Sequence, residues 1–236
     1  MKKLSILLAL VAAMTTANRL QAQSQPATTT EAQAKSDAEV EKRASEWVSS
    51  LGLNDSAKAT RVQQVISTHL KAVRDWHNSH PGTDVPETDP QTGKKLNGLE
   101  RQFIADSAMP KSVHEDLMAG LRKDLTEEQV EAILDKYTIG KVAFTMGGYR
   151  AIVPDLTNEE EAVILGYLKQ AREEAVDYKG AKLISMVFEK YKTKCEQYLN
   201  SNGRDWRALY KAFVKSVQEK KKAAAAEKAK SEKPAE

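Results

Sequence analysis

Two short signals dominate this chain, Asp124-Leu125-Thr126-Glu127-Glu128-Gln129 and Asp155-Leu156-Thr157-Asn158-Glu159-Glu160, each followed by apolar residues at helical spacing. In both, a threonine hydroxyl is placed to accept from orphan backbone N–H groups, and the residue three places on can return the bond, which makes a capping box. The acidic first turn suits the positive end of the helix dipole. Leu53-Asn54-Asp55, ahead of Lys58-Ala59-Thr60-Arg61-Val62, is a looser start of the same kind. A chain punctuated in this way folds as a series of helices. The two signals lie 31 residues apart but diverge after Thr157, so they read as a shared capping solution rather than a repeat.

Apolar periodicity sets the order of elements. Val40, Ala44, Trp47 and Val48 mark a first helix from Ala38 to Ser50, ended by Gly52. Val62, Val65, Ile66, His69, Leu70, Val73 and Trp76 share one face of a second helix over Asp55–Trp76. His77 to Lys95 holds three prolines and two glycines and is read as a long irregular loop. Helices resume at Pro110, after Thr126, over Val142–Val153, from Thr157 to about Tyr178, over Ala181–Leu199 and from Asp205. Within Val142–Val153, Gly147-Gly148 costs a helix about 2 kcal/mol, and an alternating strand reading competes. The expectation is an all-α fold, a single compact domain of about eight helices over 36–217. A flexible linker over 23–35 precedes it, and a charged Ala/Lys/Glu tail over 218–236 follows it.

The ends of the chain bear on location and charge. Lys2 and Lys3 precede an apolar run from Leu4 to Met14, the pattern of a secretory signal peptide over 1–22, cut after Ala22 or, alternatively, after Ala17. No cysteine stands near the cut, so a lipid anchor is not expected, and the expected location is periplasmic or secreted. The formal charge of +3 comes from Lys2, Lys3 and Arg19, with no acid in the leader, so the mature chain is balanced. That removes the main support for a nucleic-acid partner. No later apolar run is long enough to span a membrane. The basic tail from Lys220 reads as a solvated helix, with an electrostatic tether to an acidic surface as the lesser reading. Cys195 is the sole cysteine; it lies on the stripe Ile184, Val187, Phe188, Tyr191 and reads as a packed thiol rather than a nucleophile.

The densest polar and aromatic cluster is Arg74, Asp75, Trp76, His77 and Asn78, where the second helix meets the long loop. Trp76 offers a flat face for a sugar ring, and its neighbours offer the directional donors and acceptors that hydroxyls need. The structural alternative has Trp76 sealing the core and the rest capping the helix end. His77, His80 and Asp84 form a weaker metal candidate, with His114-Glu115 elsewhere, since a loop His-x-x-His lacks the fixed geometry of a helical pair. His69, on the apolar stripe, reads as a hydrogen-bonded core histidine. Glu173 and Asp177 share a helical face beside Arg172 and Glu174, and such carboxylates do acid–base work on a glycoside if a cleft raises one pKa; on an open face they are merely solvated. Asn202-Gly203-Arg204-Asp205 reads as a helix stop followed by the next N-cap. No nucleophile elbow, phosphate loop or dinucleotide fingerprint occurs, and no cofactor is expected.

Several blocks carry a resemblance: Val73-Arg74-Asp75-Trp76-His77-Asn78, Asp89-Pro90-Gln91-Thr92-Gly93-Lys94-Lys95, Leu125-Thr126-Glu127-Glu128-Gln129-Val130-Glu131, Val153-Pro154-Asp155-Leu156-Thr157, Ala171-Arg172-Glu173-Glu174-Ala175 and Tyr198-Leu199-Asn200. Together with the leader they resemble a family of exported bacterial proteins of unknown function, described as sugar-binding, over roughly 37–215. The chain departs from that pattern at Val176, where a methionine is expected. The resemblance implies a glycan ligand and carries over no catalytic residue, so a non-catalytic carbohydrate-associated module is the leading expectation. Leu125-Thr126-Glu127-Glu128-Gln129 is also similar to the Leu-Thr-x-x-Gln motif of helical periplasmic stress chaperones and metal sensors, although Leu156-Thr157-Asn158-Glu159-Glu160 ends in Glu. An enzyme acting on glycans is the third option.

Overall fold

In the computed structural model, which describes residues 27–231, nine α-helices form among the described residues and no strand does. They are α1 (Ala27–Ser49), α2 (Ser56–Ser79), α3 (Gly98–Ser107), α4 (Lys111–Asp124), α5 (Glu127–Thr138), α6 (Lys141–Ile152), α7 (Asn158–Ala175), α8 (Ala181–Ser201) and α9 (Trp206–Ser231). Both capping boxes are made. The Gln129 N–H donates to Thr126 Oγ1 at 3.3 Å and the Glu160 N–H to Thr157 Oγ1 at 3.1 Å, with each N3 side chain accepting from its threonine N–H. Asp55 caps α2 by accepting from the Lys58 N–H at 2.9 Å.

Three boundaries differ from expectation, and one helix is added. Helix α1 begins at Ala27 rather than near Ser36, and its side chains from Thr30 to Lys35 are exposed. Helix α2 runs on to Ser79 and stops only at His80, because the residue before Pro81 is driven out of the helical region. Helix α7 ends at Ala175, which puts Asp177 in the turn before α8. Helix α3 is additional. It opens with a third capping box, Asn97 accepting from the Glu100 N–H at 2.9 Å while Glu100 accepts from the Asn97 N–H at 2.8 Å. The expected helix over 142–153 forms as far as Ile152 despite Gly147-Gly148, as Val142, Met146 and Tyr149 turn into the core. The leader over 1–22 and the chain end beyond Ser231 lie outside the described residues.

The long loop is tied down on α3. Arg101 donates to the Val85 and Thr83 carbonyls at 2.8 Å, and Gln102 both donates to the His80 carbonyl and accepts from the Gly82 N–H. A Cβ at Gly82 would lie 2.6 Å from the Gln102 nitrogen, so this approach needs glycine.

Two apolar clusters form the interior. One joins α1, α2, α4 and α5 through Ala44, Val62, Ile66, Leu117, Leu121 and Ile133. The other joins α6, α7 and α8 through Met146, Ile164, Leu168, Val187, Phe188 and Leu199. Their junction is the end of α7: Ala175 and Tyr178 pack in the second cluster, Val176 in the first. Arg172, nearly fully buried, braces the same junction by donating to Asp135 of α5 at 2.8 Å. At the far end of α7, Arg204 clamps Asp155 and Glu160 with bonds of 2.8–2.9 Å, and Asp205 caps α9 by accepting from the Ala208 N–H. The Asn202–Asp205 turn is thus a helix stop and N-cap, with a clamp added. Arg204 and the Thr157 N–H together hold the Glu160 carboxyl down to about 2.

Candidate functional site

A cleft of about 570 Å³ opens at the junction of the two clusters, where α3 and α4 meet the α7–α8 turn. Its walls include Asp106, His114, Glu173, Glu174, Tyr178 and Tyr191, with Asp177 at the centre. Asp177 reaches this place because α7 stops two residues before it; the turn directs its carboxylate between α2 and α4. His114 Nδ1 lies 2.9 Å from Asp177 Oδ2, and His69 Nε2 lies 3.0 Å from Oδ1. A carboxylate can only accept here, so both ring nitrogens carry the bonded proton. His69 is buried with 3% exposure, whereas His114 keeps about a quarter of its side chain accessible from the cleft.

This geometry sets the electrostatics. Asp177 raises the His114 pKa by its hydrogen bond, against the opposing effect of burial, and Glu173 adds to the rise, with its Oε1 3.8 Å from Nε2. Burial pushes Asp177 up, but the bonds from His114 and His69 outweigh it and hold the carboxyl below its ordinary value. Tyr191 donates to Glu174 at 2.9 Å, and burial with that carboxylate pushes its hydroxyl up to about 12. Tyr178 stacks on Phe103 with ring centroids 4.7 Å apart and is likewise pushed up, first by burial. The cleft therefore carries fixed carboxylate acceptors, tyrosine rings and one accessible imidazole.

The cluster singled out at the end of α2 is mostly engaged in bracing. Arg74 is buried and binds Asp37 of α1 at 2.6 Å and Asp75 at 2.7 Å. Trp76 donates its indole N–H to the Ala105 carbonyl at 3.1 Å and stacks on His80 with centroids 3.6 Å apart. His77 Nδ1 donates to Asp106 Oδ2 at 2.8 Å, and Asn78 accepts from Lys179 at 2.7 Å. These contacts fix α3, and through Asp106 they support one wall of the cleft, while no side chain of the five lines it.

His77 and His80 are committed to those different partners and Asp84 is exposed on the loop. Among the described residues no three His, Cys, Asp or Glu side chains are placed to share a metal ion. Glu173 and Asp177 do meet in one cleft, although across a helix end rather than on a continuous helix. His69 is the hydrogen-bonded core histidine that its stripe implies. Asp106, Tyr178 and Tyr191, and the pairing of His114 with Asp177, were not singled out in sequence. The one available signal was His69 itself, since a histidine on an apolar face must find a buried acceptor.

No helix among the described residues is long and apolar enough to cross a membrane. A search among curated proteins finds no match to this chain. Residues 37–223 match the family described as "Protein of unknown function (DUF3826)", and the chain belongs to that family.

Proposed function

We propose that this chain is an exported carbohydrate-binding protein whose ligand, a neutral glycan, sits in the His114–Asp177 cleft rather than at the Trp76 end of α2. The observation that carries the reading is the lining itself. Glu173, Glu174 and Asp177 present carboxylate oxygens, each held by a partner, beside two tyrosine rings in a space of one or two sugar rings. Sugar hydroxyls need such acceptors and a ring face to pack on, and an anionic ligand would be repelled. The leader and the family resemblance add the expected export.

The test is thermal unfolding of the mature protein against neutral oligosaccharides, with Glu173→Ala alongside. A glycan at one hundred times its Kd stabilises by about 2.7 kcal/mol by linkage, and that gain should be lost in the variant, whose own fold should hold because the Glu173 side chain is 42% exposed and its ion pairs are 3.8 Å long. No shift with any glycan overturns the reading.

One observation favours a second reading, the helical chaperone. A groove of about 690 Å³ between α6, α8 and α9 is lined by Phe144, Tyr149, Ile152, Trp206 and Tyr210. Phe144 is 82% exposed, and Gly147-Gly148 leaves the α6 backbone bare beside it. Exposed apolar surface of this kind suits an unfolded client. Suppression of client aggregation that disappears in Phe144→Ser supports this reading; unchanged aggregation removes it.

A further inference from the structure

We propose that the cleft is catalytic: His114 is the proton-transferring residue of an ester hydrolysis, Asp177 positions it, and the substrate class is an acylated glycan. This rests on the cleft being a glycan site and goes beyond binding. The geometry is that of a carboxylate-oriented imidazole. Asp177 accepts a hydrogen bond from the Nδ1–H of His114 at 2.9 Å, which fixes the tautomer and leaves Nε2, 3.8 Å from Glu173 Oε1, to act as the base. His69, itself buried, holds the other carboxylate oxygen at 3.0 Å, so Asp177 cannot turn away.

The partners of the other groups decide the reaction class. Glycoside cleavage needs two carboxyl groups, one of them protonated as the acid. Here Asp177 is locked by two histidines, Glu174 accepts from Tyr191 and Lys190, Asp106 accepts from His77 and Gln102, and Glu173 lies 3.8 Å from both His114 and Arg122. The cleft group with a carboxylate fixed behind it is an imidazole, which suits acyl transfer near neutral pH. Phosphate esters are excluded by the surrounding carboxylates. The nucleophile is water: Ser107, the hydroxyl in the wall, donates to the Ile104 carbonyl, and Cys195 is buried in the core away from the cleft. Pro110, the residue before α4, supplies no side-chain cap, so the Lys111 end of that helix brings positive dipole to the cleft wall, which would favour charge developing on an acyl oxygen there.

The step balances without a co-reactant. His114 Nε2 takes a proton from water as the water oxygen bonds to the acyl carbon. The tetrahedral intermediate then expels the sugar oxygen, the acyl C–O bond breaks, and the imidazolium returns the proton to that oxygen. A free hydroxyl and a carboxylic acid leave.

The titratable groups around His114 are Asp177 and Tyr178 from the α7–α8 turn, Glu173 and Glu174 from α7, Lys111 and Glu115 from α4, Asp106 from α3, Tyr191 from α8 and, behind Asp177, His69 from α2. With the nearest of them anionic, the activity should fall below a midpoint higher than that of free histidine. The experiment measures acetate release from acetylated xylo-oligosaccharides and from 4-nitrophenyl acetate across pH 5–9, with melting curves for every variant. Wild type should release acetate. His114→Ala and His114→Gln should lose about 100-fold or more, the scale of a general base, and imidazole should restore part of the rate to His114→Ala. Asp177→Asn should lower the rate and move the midpoint to lower pH, which a merely structural residue would not do. No acetate release by a wild type that still binds the deacetylated oligosaccharide overturns the catalytic proposal and leaves the binding reading standing. Failure to bind either form overturns both. Release that is unchanged in folded His114 variants also overturns it.

Discussion

Asp177→Asn is the most informative single change, because its effect on stability must depend on pH in a direction the geometry dictates. The amide keeps the shape of the carboxylate and one acceptor, so the bond from His69 survives. The other arm becomes an N–H₂ group facing His114, whose Nδ1 now lacks a charged acceptor. His114 has its pKa raised above 6.5 by that acceptor. Its contribution is therefore fully present below the unfolded value and lost as pH rises through the folded one. Asp177 is lowered below 3.8, so it is ionised throughout the neutral range. At pH 5.5 the lost interaction joins two charges and amounts to about 1.5–3 kcal/mol, against about 1 kcal/mol for a neutral donor once pH has passed the folded value. With about 2–4 °C per kcal/mol for a domain of this size, the variant's Tm should fall by roughly 3–12 °C at pH 5.5 and by roughly 2–4 °C above the His114 titration. Melting curves of both proteins at pH 5.5 and past the end of that titration decide it. An equal loss at both would refute the assignment of a charged His114–Asp177 pair.

Other changes test the frame that holds the cleft. Thr157→Ala removes one half of the α7 capping box and should cost about 1 kcal/mol in urea unfolding, with the midpoint moved and the slope unchanged. Gly120→Ala and Gly148→Ala should act in opposite directions. A Cβ at Gly120 would meet Val65 at 2.7 Å, so packing loss of about 1–3 kcal/mol is expected there. A Cβ at Gly148 meets nothing within 4 Å, so about 1 kcal/mol of helix propensity should be gained. Ile139 ends α5 in the left-handed region at φ 56° and is 80% exposed, so Ile139→Gly should stabilise by about 1 kcal/mol in the same assay.

Much of the architecture was legible because local rules spelled it out. Thr126 and Thr157 announce α5 and α7 through side chains that bond within three residues, and the stripe carrying Cys195 announces the buried face of α8. Helix α3 used the same grammar, Asn97 with Glu100, but its ten residues follow a proline- and glycine-rich loop that hid them. The cleft was legible only in pieces. Glu173 and Asp177 were a candidate pair, yet the partner that gives Asp177 chemical meaning, His114, is 63 residues away and reaches it only when α4 packs beside the end of α7. The cluster around Trp76 is the converse case. Its neighbours look like a site in sequence because they are polar and close together, and in the fold they satisfy one another and the backbone of α3.

Whether the His114–Asp177 cleft receives a glycan is tested directly by titration of the histidine ring signals by NMR in protein labelled with ¹⁵N-histidine. The chain has four histidines, few enough to assign by single replacement. A neutral oligosaccharide should move the His114 ring signals in a saturable way while His80, stacked on Trp76, stays fixed. Saturating glycan that binds yet leaves His114 unmoved would contradict it.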